Sequence, residues 1–242
     1  MNKRKIGFLS TLSVILVVIG VAILFSTDII LSINKLNNTS PNNTTEQSTN
    51  VNKNNTLVID SSLEEVSLDG YLFLGDSYTV LLQETIEKNN PDAIVLGQIG
   101  VQPGYWNENF DVLPDDNDVN GVVLLIGVNG VTFDDNLPNK KKLIDSLVKK
   151  YEGKTIYVQK VFPVGKNFTN ANPDTFNESI KSHNEEIQSY CEKYDNVIFI
   201  DATKDLVTED GYLKYTKDGL HIRSDKQETF YSNIEDAVNN IN

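Results

Sequence analysis

The chain has 242 residues and a formal net charge of −13, which is enough length for one full-sized domain with an appendage. The first 57 residues carry five Lys/Arg and two Asp/Glu, or +3, so the remainder carries 16 and 32, or −16. Such an acidic domain excludes nucleic acid as a partner. The single cysteine, Cys191, excludes an internal disulfide framework and a cysteine metal cluster.

The amino terminus begins with a basic tip followed by an apolar segment. Residues 6 to 25 carry no charge, and twenty helical residues span about 30 Å, the thickness of a hydrocarbon core. Lys3, Arg4 and Lys5 precede this segment and indicate that the tip stays in the cytoplasm. Residues 1 to 27 are therefore predicted to be a single-pass membrane anchor, with the rest of the chain outside the cell. The alternative is a cleaved signal peptide, which would give a secreted protein.

The next segment, residues 28 to 57, is predicted to be a linker. Its second half is dominated by Asn, Thr and Ser and has too little apolar surface to offset the entropy lost on ordering. Residues 58 to 242 are then predicted to form one domain tethered to the membrane.

Within that domain, short apolar segments alternate with amphipathic ones. Strands are predicted at 71–74, 93–96, 122–126, 155–161 and 197–200, because these segments are rich in Val, Ile and Leu and end at turn residues. Helices are predicted at 79–88, 137–151, 173–194 and 225–239. This alternation favours an α/β fold, a three-layer α/β/α sandwich around a five-stranded parallel sheet.

Polar residues follow three of the predicted strands. Ser77 follows the first, Gly100 the second and Asn129 the third, while His221 comes from the segment before the last helix. Ligands of an open parallel sheet bind beyond the carboxyl ends of its strands. These residues are therefore expected to meet at one edge of the sheet.

The residue types at this edge indicate nucleophilic catalysis. A serine hydroxyl needs a base to accept its proton during attack, and imidazole titrates in the useful range. Asp218 stands three positions before His221 and can orient the imidazole from a tight loop. The backbone amides of Ser77 and Gly100 and the side-chain amide of Asn129 are candidate donors to an oxyanion.

The motifs resemble those of the SGNH hydrolase superfamily, also called GDSL esterases and lipases. Four segments carry the resemblance, which covers about residues 68 to 240: Gly75-Asp76-Ser77, Gly100, Gly127-Val128-Asn129 and Asp218-Gly219-Leu220-His221. It implies a flavodoxin-like fold, Ser77 as nucleophile, His221 as base and Asp218 as its orienting acid. It also implies that no metal and no cofactor take part, and that the substrates are acyl esters.

Two positions depart from the family pattern. The third block often ends in aspartate, whereas Gly130 follows Asn129 here and changes the adjoining turn. The glycine of the second block has more than one candidate, since Gly97 and Gly104 lie close to Gly100 in the sequence. Gly100 is assigned because it best matches the glycine after the second strand.

Three aromatic residues near these motifs are candidates for substrate binding. Tyr105 and Trp106 are predicted either to form an aromatic platform for a sugar ring or to pack their loop onto the domain. Tyr78 either lines an acyl pocket or covers the first helix. Asp76 is predicted to stabilise the turn and not to belong to the triad.

Three functions compete. The leading hypothesis is an extracellular, membrane-tethered serine esterase that hydrolyses acyl esters, with acetyl favoured, on a small-molecule, carbohydrate or cell-envelope substrate. The alternatives are an O-acetyltransferase that modifies peptidoglycan or another wall polysaccharide, and a non-enzymatic binding module of the same fold. The complete set Ser77, His221, Asp218, Gly100 and Asn129 favours an enzyme.

Overall fold

The computed structural model describes residues 66 to 241. These residues contain a five-stranded sheet whose strands are all parallel, in the order β2-β1-β3-β4-β5. The strands are β1 (Leu72–Gly75), β2 (Ile94–Gly97), β3 (Gly121–Leu125), β4 (Thr155–Gln159) and β5 (Val197–Ile200). In the register, Leu72 lies opposite both Ile94 and Val122, so β1 pairs with a strand on either side.

The strands alternate with helices along the described chain. The helices are α1 (Ser77–Asn89), α2 (Pro103–Glu108), α3 (Asn136–Lys150), α4 (Pro173–Cys191) and α5 (Gln227–Asn239). Short 3-10 helices occur at Phe110–Val112, Asp116–Asp118 and Ser224–Lys226. The Asn172 side chain accepts hydrogen bonds from the first-turn amides of α4, and Pro173 fits the first helical position, so the sequence marks where α4 begins.

Each face of the sheet has its own apolar core. Successive strand residues point to opposite faces, so Phe73 packs with Leu82 of α1 and Ile234 of α5, whereas Leu72 and Leu74 pack on the other side. The second core includes apolar residues of α3 and α4: Leu143, Ile144, Leu147 and Ile187. Because both faces are covered, the strands are apolar throughout, as expected of a parallel sheet.

The predicted three-layer α/β/α sandwich with a five-stranded parallel sheet is confirmed. Most boundaries differ from prediction by a few residues, and α2 was not predicted at all because six residues are too few to show helical periodicity. No helix between residues 66 and 241 has the length and apolar character to cross a bilayer. The predicted anchor, residues 1 to 27, and linker, residues 28 to 57, lie outside the described residues.

The strand order decides where a site can form. In the order 2-1-3-4-5 the chain reverses direction across the sheet between β1 and β3, and a crevice opens beyond the carboxyl ends of these two strands. Ser77 follows β1 and Asn129 follows β3, so the topology brings these two loops to the crevice.

Candidate active site

The turn after β1 presents the serine at the start of a helix. Ser77 is the first residue of α1, and Asp76 caps the helix by accepting a hydrogen bond from the Tyr78 amide at 3.1 Å. Gly75 approaches β3 so closely that a Cβ there would overlap the Leu125 carbonyl oxygen and the Thr79 hydroxyl. A glycine is therefore required for this turn.

Ser77, His221 and Asp218 form a continuous hydrogen-bonded chain. His221 Nε2 lies 2.9 Å from Ser77 Oγ, and His221 Nδ1 lies 2.6 Å from Asp218 Oδ2. With the imidazole proton on Nδ1, Nε2 is free to accept the serine proton. Three residues separated by up to 144 positions in sequence thus have the geometry of an activated nucleophile.

Asp218 is held as a carboxylate by its own loop. Partial burial opposes its ionisation, but hydrogen bonds from the His221 amide, the His221 ring and the Leu220 amide hold its pKa well below the usual range. Its Oδ1 accepts from the Leu220 and His221 amides at 2.9 Å each and from the Thr216 hydroxyl at 3.1 Å. The acid is therefore ionised and fixed in position at any pH near neutrality.

The loops after β2 and β3 contact each other at the carboxyl edge of the sheet. The Asn129 side chain donates one hydrogen bond to the Val101 carbonyl at 3.1 Å, which leaves its second N–H available to a ligand. The Asn129 carbonyl accepts a hydrogen bond from the Asn136 side chain at 2.6 Å. Asn129 is thus fixed from two sides at the edge of the sheet where Ser77 lies.

Gly100 lies in the exposed turn that follows β2. Gly97 is the last residue of that strand and Gly104 belongs to α2, so Gly100 is the one of the three in the intervening loop. Gly130 packs against the Gln102 side chain, which also joins the two loops. These contacts join the loops after β2 and β3, and the assignment of Gly100 as an oxyanion donor stays a prediction.

Comparisons with known proteins identify the fold. No protein-family model and no curated protein matches the chain. A Streptococcus pneumoniae protein, provisionally named as a platelet activating factor, is 28% identical over 72% of this chain and 85% of its own, with a TM-score of 0.62. A GDSL-like lipase of Bacteroides thetaiotaomicron is 20% identical, with 71% and 86% covered and a TM-score of 0.52.

The chain has the SGNH hydrolase fold. A family 3 carbohydrate esterase from Clostridium thermocellum aligns as well, at 17% identity over 71% of this chain and 95% of that one, with a TM-score of 0.50. At such low sequence identities, the structural similarity establishes the fold. The resemblance of the sequence motifs to the SGNH hydrolases is therefore confirmed as a resemblance of fold.

Within the SGNH fold, Tyr78 supports the loop that carries Asp218 and His221. Its ring is buried and stacks on Phe162 with centroids 5.5 Å apart, and its hydroxyl donates a hydrogen bond to the Leu220 carbonyl. Burial, with smaller contributions from Asp76 and Asp218, raises the pKa of Tyr78 well above its ordinary value. Tyr78 thus packs against the loop at Leu220, and its predicted role in an acyl pocket stays a prediction.

Of the two predictions for Trp106, the structure favours packing onto the domain. Only 2% of it is exposed, its ring belongs to the core under α3, and its indole Nε1 donates to the Gly75 carbonyl at 3.0 Å. Trp106 therefore packs its helix onto the domain and supports the turn before Ser77. Tyr105 is half-buried and packs edge-on against Trp106 with ring centroids 5.0 Å apart.

We expect Trp106→Phe to lower stability modestly while the SGNH fold persists. The substitution keeps an aromatic ring but removes a buried donor to Gly75, which costs about 1 kcal/mol and lowers the melting temperature by roughly 2–4 °C. Circular dichroism during thermal unfolding measures this. Tyr105→Phe is the matched control, because its hydroxyl makes no hydrogen bond within residues 66–241; an equal loss in both variants would contradict the role given to the indole N–H.

Two buried polar residues lie behind the site, and sequence reasoning did not single out the first of them, Lys140. Lys140 of α3 is fully buried, although lysine is rarely buried without a partner. His183 of α4 was expected to lie at the surface or to pack, and it is buried, with its pKa lowered to about 3 by burial and by Lys140 and Lys141. Helical periodicity alone would have placed position 140 one turn before the apolar residues Leu143 and Ile144.

Within the part of the chain that the structure describes, no group of three His, Cys, Asp or Glu side chains is arranged to hold a metal ion. Cys191, the sole cysteine, is buried in the core on α4, and burial raises the pKa of its thiol to about 11. A buried thiol that stays protonated behaves as a small apolar residue.

Proposed function

We propose that the protein is a serine esterase that hydrolyses acyl esters, with acetyl esters of carbohydrate or cell-envelope substrates as the favoured class. The observation that carries the proposal is the hydrogen-bonded chain from Ser77 Oγ to His221 Nε2 and from His221 Nδ1 to Asp218 Oδ2. The SGNH fold and its GDSL-like lipase and carbohydrate esterase neighbours support the same general chemistry.

In the proposed reaction, Ser77 Oγ attacks the ester carbonyl while His221 Nε2 takes its proton. The resulting imidazolium is stabilised by the carboxylate of Asp218. The carbonyl oxygen becomes an oxyanion that accepts hydrogen bonds from the Ser77 and Gly100 amides and the Asn129 side chain. His221 then returns the proton to the departing alcohol, and an acyl-serine remains.

Water completes the cycle in the proposed hydrolase. His221 takes a proton from the water as its oxygen attacks the acyl carbon, and Ser77 leaves with that proton. A glycan hydroxyl in place of water would make the same intermediate an O-acetyltransferase. We propose hydrolysis because Asp218 and His221 are partly exposed, with side chains 54% and 30% accessible, so water reaches the site.

A fluorophosphonate probe tests the proposed nucleophile directly. We expect a single covalent adduct on Ser77, located by peptide mass spectrometry, because the probe reacts only with a serine that has an activated hydroxyl. Absence of labelling in folded protein would contradict the enzyme proposal and favour a binding module of this fold.

The acyl acceptor is tested by the fate of the acetyl group. With p-nitrophenyl acetate as donor and glycan fragments added as acceptors, we expect free acetate as the product. Dominant transfer of acetyl to glycan would contradict hydrolysis while leaving Ser77 as the nucleophile.

We also propose that the enzyme works outside the cell, tethered by residues 1 to 27 through a linker at residues 28 to 57. The uncharged apolar residues 6 to 25 and the preceding Lys3, Arg4 and Lys5 support this proposal. Full-length protein is expected to stay in the membrane pellet after alkaline carbonate extraction. Its release into the soluble fraction, or a mature form that starts after residue 25, would favour a cleaved signal peptide.

A further inference from the structure

A buried lysine lies behind the loop that carries Asn129. Lys140 of α3 is 0% exposed, and its Nζ has no hydrogen-bond partner among the described residues. An ammonium group loses its hydration when it is buried, so a lysine in this position needs a compensating charge or acceptor nearby.

The Lys140 ammonium points at the backbone of Gly127, two residues before Asn129. A Cβ built on Gly127 would lie 3.1 Å from Lys140 Nζ and 3.3 Å from His183 Nε2, so both nitrogens approach the same point. His183 is buried and its Nε2 also lacks a hydrogen-bond partner in residues 66–241. Gly127 has a φ of +135°, which residues with a side chain rarely adopt. The absence of a Cβ at this position also leaves space for the two nitrogens.

The opposite charge is Asp76, the residue immediately before Ser77. Its side chain is buried, with 1% of the residue exposed, and both carboxylate oxygens accept backbone hydrogen bonds. Oδ1 accepts from the Tyr78 amide at 3.1 Å and Oδ2 accepts from the Gly127 amide at 3.3 Å. Asp76 therefore joins the turn that presents Ser77 to the turn that leads to Asn129.

Burial shifts the pKa of both groups toward their neutral forms, and the charge of each group opposes the shift of the other. Burial raises the pKa of Asp76 to about 6, against hydrogen bonds from Tyr78 and Gly127 and the charges of Lys140 and His221. Burial lowers the pKa of Lys140 to about 8, against Cys191 and Asp76. Between about pH 6 and about pH 8 both groups are charged, which is the range in which an imidazole base works.

We propose that Lys140 is a positioning residue for the proposed esterase, whose buried ammonium keeps Asp76 ionised so that Asp76 can hold the Tyr78 and Gly127 amides. A neutral carboxyl carries a proton on one oxygen, and its oxygens are weaker acceptors of an amide hydrogen bond than those of a carboxylate. Protonation of Asp76 then loosens the link between the two turns that carry Ser77 and Asn129. Only the expected effect of Lys140 on turnover rests on the proposed function; its effect on Asp76 does not.

Other titratable groups also face Asp76 and Lys140, and their effects on the pH profile have to be distinguished from the effect of this pair. They come from α1, α3, α4 and the loop before α5: Tyr78 and His221 near Asp76, and His183 and Cys191 near Lys140, with Lys141 acting on His183. His221 matters most, because it is the proposed base and a change in its surroundings also changes the pH profile of turnover.

The first measurement does not need turnover. The Asp76 carboxyl is titrated by ¹³C NMR in the full-length protein, in wild type and in Lys140→Met. We expect its midpoint near pH 6 in wild type and at a higher pH in the variant, since a nearby positive charge is lost. An unchanged midpoint would contradict the inference whether or not the protein is an esterase.

The second measurement is the pH profile of kcat/KM. In Lys140→Met the acid limb is expected to move to higher pH, and kcat at neutral pH to fall several-fold with KM little changed, because the substrate itself does not contact Lys140. Lys142→Met is the matched control, an exposed lysine on the same helix, and its profile should superimpose on wild type. A shift of equal size in both variants would contradict a specific role for Lys140.

A double variant separates Asp76 from His221. In an Asp76→Asn background no carboxyl remains at position 76, so adding Lys140→Met is expected to leave the acid limb where it was. A shift that persists in this background would show that Lys140 acts through His221 and would overturn the proposal. If Lys140→Met does not fold, as judged by circular dichroism, Lys140→Gln makes the same test, since it removes the charge and keeps a donor.

Discussion

Replacing Ser77 with alanine is expected to lower hydrolysis of p-nitrophenyl acetate by on the order of 10⁴-fold or more. The substitution removes the oxygen that forms the acyl intermediate, whereas His221, Asp218 and the oxyanion donors stay in place. The fold should persist, because Ser77 begins α1 and the cap that starts this helix is the side chain of Asp76. Initial rates at saturating substrate and the melting temperature are measured on both proteins.

Ser189→Ala is the matched control for this experiment. Ser189 lies exposed on α4, away from the crevice loops, and alanine is a better helix former than serine. Its hydrolysis rate should equal that of wild type. Equal turnover by the wild type and Ser77→Ala would contradict the proposed nucleophile, even if the protein hydrolysed esters by another route.

The second large effect is expected from Asp218→Asn, with a loss of about 10³- to 10⁴-fold in kcat. An asparagine can still accept the Leu220 and His221 amides through its oxygen, so the loop keeps its conformation. Its NH₂ group, however, would face His221 Nδ1 and favour the imidazole tautomer that carries its proton on Nε2. That nitrogen could then no longer accept the proton of Ser77, which lies 2.9 Å away.

Asp225→Asn provides the comparison. Asp225 is an exposed carboxylate close in sequence that pairs with Arg223, with 2.8 Å between Arg223 Nε and Asp225 Oδ1. Exposed pairs of this kind contribute little, so its kcat should match wild type. A similar loss of kcat in both variants would indicate a general effect of acidic side chains on the loop and not a specific partner for His221.

Local sequence patterns were sufficient for the fold and for the members of the proposed triad. The strands are apolar and end at turn residues, and parallel strands bring their carboxyl ends to one edge, so the positions of Ser77 and Asn129 followed from β1 and β3. Asp218 and His221 are three residues apart, and a tight loop suffices to make them neighbours. Each of these features depends on contacts near in sequence or on the general geometry of a parallel sheet.

The roles of the aromatic residues could not be predicted in the same way. Tyr78 and Trp106 have polar atoms that suit either a ligand or a backbone carbonyl, and sequence does not say which one they meet. In the structure their partners are Leu220 and Gly75, which are 142 and 31 residues away. A side chain's partner across such a separation depends on how the layers pack, and periodicity within one element carries no information about it.

The sequence by itself determined the class of fold and indicated the proposed chemistry, because apolar periodicity specifies buried strands and because a serine, a histidine and an aspartate suit nucleophilic catalysis together. Tertiary structure alone decided that Trp106 is a support for the Gly75 turn and that Lys140 is buried behind Gly127. The physical reason is that burial of a polar side chain is settled by the neighbours it meets from other elements. Lysine on an amphipathic helix is most often solvated, whereas Lys140 is buried against the loop after β3 and beside His183 of α4.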